Sequence, residues 1–355
     1  MRQVADKNGA ALLASYQRSV SRRVRASLLT GAVLVALVLA DLVTGPSSIK
    51  IADAIPAVLG GSSDNDRMTA TIIWSFRLPM TLMGALVGMS LGIAGLQMQT
   101  ILDNPLASPF TLGFSAAAGF GAALAIMFGA AVPMASWLLA PLAAFAATLV
   151  ACFLVYAVAR LRGASPEILV LSGIAVMFMF QAFQSLLQYL AAPEVLQQIV
   201  FWLFGSLMRS SWSSIAVVAI VLVATVPALA RDAWRLTALR LGEAHARSLG
   251  IDVDALRRRT FLIIALLTAS AVAFVGTIGF VGLVAPHAAR ALVGEDQRTL
   301  LPLSAIMGGA MLAGASVLSK LIAQGAVIPV GIVTAIVGVP ILFLLVMRRG
   351  AGGWA

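Results

Sequence analysis

Charge is what this sequence has least of. Of its 355 residues 11% are charged and 61% hydrophobic, with a mean hydropathy of +1.00. Soluble domains carry about 25% charged residues, so a water-soluble globule is excluded. There is one cysteine, Cys152, inside an apolar run, which excludes an intrachain disulfide and a cysteine-rich metal site. It reads as a small packing residue. Histidine is nearly as scarce: His245 and His287 stand alone, with no HExxH and no aspartate pair inside an apolar run. An intramembrane protease needs such a constellation, so enzyme function is disfavoured and no metal site is expected. Ionisable groups are rare within the apolar runs too, with Asp41, Glu167, Arg290 and Lys320 near their ends. A proton or sodium relay is hard to build from that set.

What the sequence has in abundance is apolar length. Runs of 18 or more residues recur along the chain, where a transmembrane barrel would show alternating segments of about 10. The fold class is therefore an all-α membrane protein of about ten spans. They are placed at 26–45, 78–99, 111–130, 136–159, 167–190, 212–230, 260–276, the broken run 276–290, 300–320 and 330–347. A basic segment, 1–25, precedes the first; it is too long for a signal peptide, and the apolar run after it is long enough to span. Residues 350–355 form a tail. The loop 46–76 is polar, with 48–60 as a short interfacial helix, and another loop holds Pro193 and Glu194. Trp202 and Trp212 suit a headgroup-level belt. Gly84, Gly88, Gly92 and Gly95 form a small-residue stripe for close helix packing.

Basic residues divide 19 to 5 between alternate sides if both termini lie in the cytoplasm. That is the positive-inside pattern for an even number of spans.

The largest departure from apolarity is the island 231–259, with seven arginines and four acids in 29 residues. It must lie on a membrane surface, and the charge count places it in the cytoplasm. Gly242 and Gly250 bracket a short helix in which Glu243 and Arg247 pair at i, i+4. Gly250 ends it, and Asp252 caps a second short helix running towards Arg257, Arg258 and Arg259. A rigid knob and a solvated basic loop at the headgroups are both compatible with this pattern. A second polar signal is the stripe Gln181, Gln184 and Gln188, at i, i+3 and i+7. Glutamines in hydrocarbon need partners, so the stripe is either interhelical glue or the lining of a pathway.

Eight stretches taken together resemble the FecCD family, permeases of type II ABC importers for ferric siderophores, haem and cobalamin. They are RLP (77–79), the glycine run ending at Gln97-Met98-Gln99, NPLASP (104–109), WLFGSL (202–207), LGEAHARSLGID (241–252), GTIGFVGLVAPHAAR (276–290), LLPLSA (300–305) and PVGIVTAIVGVP (329–340). The resemblance implies a cobalamin-importer-permease-like bundle that pairs with a second copy or close paralogue, in the bacterial inner membrane. It also implies two cytoplasmic ATPase subunits holding ATP and Mg, a periplasmic binding protein, and no cofactor on this chain. Coupling to the ATPase maps onto about Leu239 to Leu256, centred on Leu241, Gly242, Glu243, Ala244, Ser248, Leu249 and Gly250. The remaining arginines of the island are expected to anchor it at the headgroups. The three glutamines fall on the span that lines the pathway in the family. Arg77 and Lys320 match two positions that pair with the binding protein, while Met80, Ser316 and Val327 depart from the family pattern there. Ferric siderophore is the expected cargo, with haem or cobalamin as alternatives. An ion-coupled transporter without an ATPase, or a non-transporting scaffold, would be the reading of another class.

Overall fold

Every regular element in the computed structural model of the chain is helical among the described residues, which are 2–45, 66–129, 136–162, 165–322 and 327–349. The chain begins as α1 (Arg2–Val43). The expected basic segment is thus a helical extension of the first span. The expected interfacial helix at 48–60 and the tail 350–355 lie outside the described residues. After α2 (Asp66–Ile72) a π-turn, Ile73–Arg77, leads into α3 (Leu78–Ile101), and Met68–Ile101 runs on as one apolar helix.

Next come α4 (Phe114–Phe128), α5 (Ser136–Leu161), α6 (Pro166–Leu190) and α7 (Pro193–Leu203). The last replaces the loop expected there: Pro193 sits in its first turn, where the missing N–H has no intrahelical role. Its Trp202 is buried, so of the expected belt pair only Trp212 is exposed, tilted against Trp74 at 5.7 Å. The chain continues through α8 (Trp212–Arg231), α9 (Ala233–Leu239), α10 (Glu243–Ser248) and α11 (Val253–Val275). It ends with α12 (Val281–Val293), α13 (Gln297–Ile322) and α14 (Val330–Arg349). Among the described residues seven helices are long and apolar enough to cross a membrane, and α4, α12 and α14 supply three shorter apolar ones. The ten expected spans correspond to these.

Two helices form the centre. In α3 and α11, 72% of the most apolar 18-residue window is buried, against 17% in α1. The glycine stripe explains how α3 reaches that position. A Cβ at Gly88 or Gly92 would run into the backbone of α13 at Gly308 and Ser304, and one at Gly95 into the Gly282 carbonyl of α12. Bare backbones in contact gain dispersion over their whole length, the main attraction left where lipid is as apolar as the side chains. Gly84, at the end of the stripe, meets only a Leu207 methyl at 3.2 Å.

The break before α12 has a clear cause. Gly276 takes φ +77 and its position lies against the Trp202 carbonyl. The chain on both sides of it is tied into the bundle: Ser206 N–H donates to the Val275 carbonyl at the end of α11 at 2.7 Å, and the Thr277 hydroxyl donates to the Leu203 carbonyl. Irregular backbone inside an apolar bundle is tolerated only when its polar groups find such partners.

Alternation along the chain puts the island, the start of α1 and the end of α14 at one end, with Arg23 of α1 3.6 Å from Asp296. At the opposite end lie the close of α1 and the start of α3. Gly95→Ala is expected to cost about 1–3 kcal/mol by overpacking α3 on α12. Gly31→Ala, with nothing within 4 Å, is expected to be neutral or slightly stabilising. Melting temperatures in detergent check the contrast.

Candidate coupling site and translocation cleft

The island folds into a knob. α9 and α10 are its two short helices, and Gly242 (φ +110) turns the chain between them; Gly250 (φ +78) closes α10. A Cβ at either glycine would meet nothing within 4 Å, so both are needed for backbone conformation and not for space. Asp252 does cap a helix, accepting from Ala255 N at 2.9 Å, but that helix is the 23-residue span α11. The expected second short helix after Gly250 is therefore corrected: the pair lies on either side of Gly242.

All seven residues expected at the coupling position lie on this knob. Leu241 (69% exposed) and Leu249 (52%) flank Glu243, and Gly242, Ala244, Ser248 and Gly250 are exposed beside them. The expected Glu243–Arg247 pair is present at 2.8 Å, and Arg247 also reaches Asp254 at 3.1 Å. Hydrogen bonds from Arg247 and then Arg257 hold the Glu243 carboxyl below the usual carboxylate range. Arg257 was expected at the headgroups. It is instead buried, with Nε donating to the Ile101 carbonyl at 3.3 Å and Nη2 to Glu243 at 3.0 Å. Arg235 and Arg259 both pair with the buried carboxylate of Asp232, at 2.9 and 3.1 Å. A carboxylate under the protein surface attracts these cations more strongly than solvated headgroups do.

Beneath the knob lies a polar cluster that the spacing of residues did not reveal. Arg240 pairs with Asp103 and Glu295; Glu295 also holds Arg290 at 2.9 Å; Arg290 donates to the Gln99 side chain at 3.0 Å. Gln97, Gln297 and Thr100 form a second hydrogen-bonded set at 3.1 and 2.8 Å. The available signal was Gln97 and Gln99 closing an otherwise apolar helix.

The three glutamines of α6 separate. Gln181 and Gln184 line a cleft of about 140 Å³ with Ser115 and Thr277, and Gln184 lies against Gly119 of α4. Gln188 is half-buried and not among its lining residues. Gln181 is exposed on a helix otherwise faced by Phe178 and Tyr189. In hydrocarbon an exposed amide would lack partners, so this face meets water or protein.

At the far end lie Arg77 and Lys320, which the resemblance matched to positions that pair with the binding protein. Both are buried. Lys320 Nζ lies 2.8 Å from Asp41 Oδ1 and 2.9 Å from its carbonyl, Thr81 Oγ1 donates to Asp41 Oδ2 at 2.5 Å, and Arg77 donates to the Leu42 and Val43 carbonyls at 3.1 and 2.6 Å. These head groups satisfy the C-terminal carbonyls of α1, which have no intrahelical partner. In this conformation both head groups are turned to the end of α1.

Asp41→Ala leaves a buried ammonium uncompensated and is expected to cost about 3–5 kcal/mol, whereas Asp41→Leu with Lys320→Met recovers most of it; thermal melts in detergent decide. For Glu243, the folded carboxyl titrates below the ordinary value of 4.5. Its contribution is therefore full above that value and lost as pH falls through the lowered one. Amide-exchange protection of residues 243–249, corrected for intrinsic rates, is expected to hold from pH 7 to about 5 and to fall only below about 4.5. Glu243→Gln lowers it already at pH 7 and flattens the profile.

Comparison with known proteins agrees with this geometry. The model of the FecCD transport family matches residues 33–348. The chain is 37% identical over 279 residues to the cobalamin import system permease protein BtuC of Halobacterium salinarum, covering 78% of this chain and 74% of that one. It is 32% identical over 329 residues to the hemin transport system permease protein HmuU of Yersinia pestis, covering 92% and 97%. A solved inward-facing structure of a metal-chelate type ABC transporter superposes with a TM-score of 0.80 at 30% identity, covering 91% of this chain and 98% of that one.

Proposed function

The chain belongs to the FecCD transport family, and from that premise we propose that it is the membrane permease of an ATP-driven importer for an iron chelate. It is a transport subunit of the multi-pass inner-membrane kind, and not an enzyme. Ferric siderophore is the first-choice cargo, with haem or cobalamin behind it. The cargo enters from the periplasm and leaves to the cytoplasm as the spans alternate between outward and inward access. ATP hydrolysis takes place on two separate cytoplasmic subunits, a periplasmic binding protein supplies the cargo, and both termini face the cytoplasm. By residue, 1–25 is the cytoplasmic lead-in, 26–349 the permease domain and 350–355 its tail.

One observation carries the reading: the knob. Two short helices with Leu241 and Leu249 exposed around Glu243 offer a compact surface outside the apolar zone, shaped to seat in a groove of another protein. Exposed leucines beyond the hydrocarbon are stabilised by such a partner. Leu241, Gly242, Glu243, Ala244, Ser248, Leu249 and Gly250 are the proposed contact. Gln181 and Gln184, with Gln188 farther along the helix, are proposed to line a pathway shared with a second copy, which would also satisfy the exposed Gln181 amide. An ion-coupled mechanism finds little support, because the buried Asp41–Lys320 pair sits at the far end of the bundle and not beside the Gln181–Gln184 cleft.

The test is reconstitution of the chain with its ATPase and binding protein in liposomes, followed by uptake of radioiron-labelled ferrichrome. Glu243→Arg and Gly250→Val are each expected to lower iron moved per ATP hydrolysed about tenfold; the valine must adopt a left-handed backbone that costs of order 1–3 kcal/mol. Gln184→Leu is expected to slow uptake without releasing the ATPase. Uptake by this chain alone, driven by an ion gradient, would sink the proposal.

A further inference from the structure

The knob has to move something when its partner moves it, and its own packing is slight. Ala246 is the buried residue of α10, so apolar contact alone fastens that helix weakly. What fastens it is charge. Arg257, with a side chain only 7% exposed, grips Glu243 at one end and the Ile101 carbonyl, the last residue of α3, at the other. Arg240, at the close of α9, pairs with Asp103 just beyond α3 and with Glu295 just beyond α12. Glu295 in turn holds Arg290, and Arg290 holds Gln99, whose own amide donates to the Leu283 carbonyl of α12 at 3.3 Å.

A second feature points the same way. Asp103 stands at φ +45, one of two non-glycine residues with positive φ among the described residues. Positive φ is uncommon for any non-glycine residue, and aspartate is among the few that tolerate it. Here it turns the carboxylate to Arg240 while Asn104 N–H closes α3 on the Gln99 carbonyl at 3.1 Å.

We infer that Arg240 and Arg257 are the positioning residues of coupling: they fasten the knob to the island end of α3 and of α12, so that displacement of the knob moves the central helices. Without them the chain between α8 and α11 takes up the motion. α3 is the most deeply packed span together with α11, and its bare-backbone contacts with α12 and α13 make the three move as one body. The ion pairs are the link between that body and the exposed leucines. This rests on the function proposed above.

The test reads motion and needs no cargo. Nitroxide labels are placed at Leu106 (45% exposed), on the turn after α3, or at the exposed His245 on the knob, which is outside the proposed contact set, in the complex with its ATPase in liposomes. Distances between the two copies are measured with and without ATP and vanadate. In the unaltered protein both positions are expected to shift with nucleotide. Asp103→Asn keeps the side chain's size and its tolerance of positive φ but removes the charge; Arg240→Ala removes the other partner. In both, His245 still shifts while the shift at Leu106 falls to less than half, and Arg240→Lys, which keeps the charge, restores it. Full motion at Leu106 in Asp103→Asn and Arg240→Ala overturns this inference alone. If no ATPase co-purifies, or neither position responds in the unaltered protein, the proposed function falls and this inference with it.

Discussion

Hydrocarbon offers no hydrogen bonds, and the rest of this structure follows from that. A polar group taken into the bundle must find its partner inside the protein or lie at an end of it. The chain does both. Its scarce charges gather at two levels: one around Asp41, where Lys320, Thr81 and Arg77 close the end of α1, and one beneath the island, where Arg240, Arg257 and Arg290 meet Asp103, Glu243 and Glu295. Between them the spans are held by shape.

Shape here means glycine. The contacts of Gly88, Gly92 and Gly95 with α12 and α13 leave no room for a methyl group, and they set α3 at the centre of the bundle. The consequence is mechanical. Helices in backbone contact cannot slide without opening voids whose lining loses its dispersion partners, so α3, α12 and α13 respond together. α6, by contrast, presents Gln181, Phe178 and Tyr189 outward and stands ready to meet a second copy or water. A rigid centre and a polar-edged outer helix are what the proposed alternating access would require of a permease subunit.

How far the site could be read from residues alone differs feature by feature. The short helix between Gly242 and Gly250 was legible because those glycines and the Glu243–Arg247 spacing are local signals, decided within two turns of helix. The glycine stripe was legible for the same reason. The choice between a knob and a solvated loop was not, because it rests on the distant partners of Arg240 and Arg257. Nor was the destination of a long cation. Arg257, in a run of three arginines, looked like a headgroup anchor, and Lys320 and Arg77 matched positions that pair with the binding protein. Each is buried because an acceptor far along the chain lies within its reach: Ile101 for Arg257, Asp41 for Lys320, the end of α1 for Arg77. The Arg240–Asp103 pair spans 137 positions, and no periodicity carries such information.

By itself the sequence determined that the chain is a helical bundle of about ten spans, that its charged island lies outside the hydrocarbon, and that the island carries a glycine-hinged turn. These follow from composition, run length and backbone preference, which act over a few residues. Only the tertiary structure decided which cations face outward and which are held within. It also decided which two of the three glutamines share a cleft, and that the island is fastened to the central helices. Those outcomes depend on what lies opposite each side chain once the helices have packed, and packing brings together residues the sequence keeps far apart.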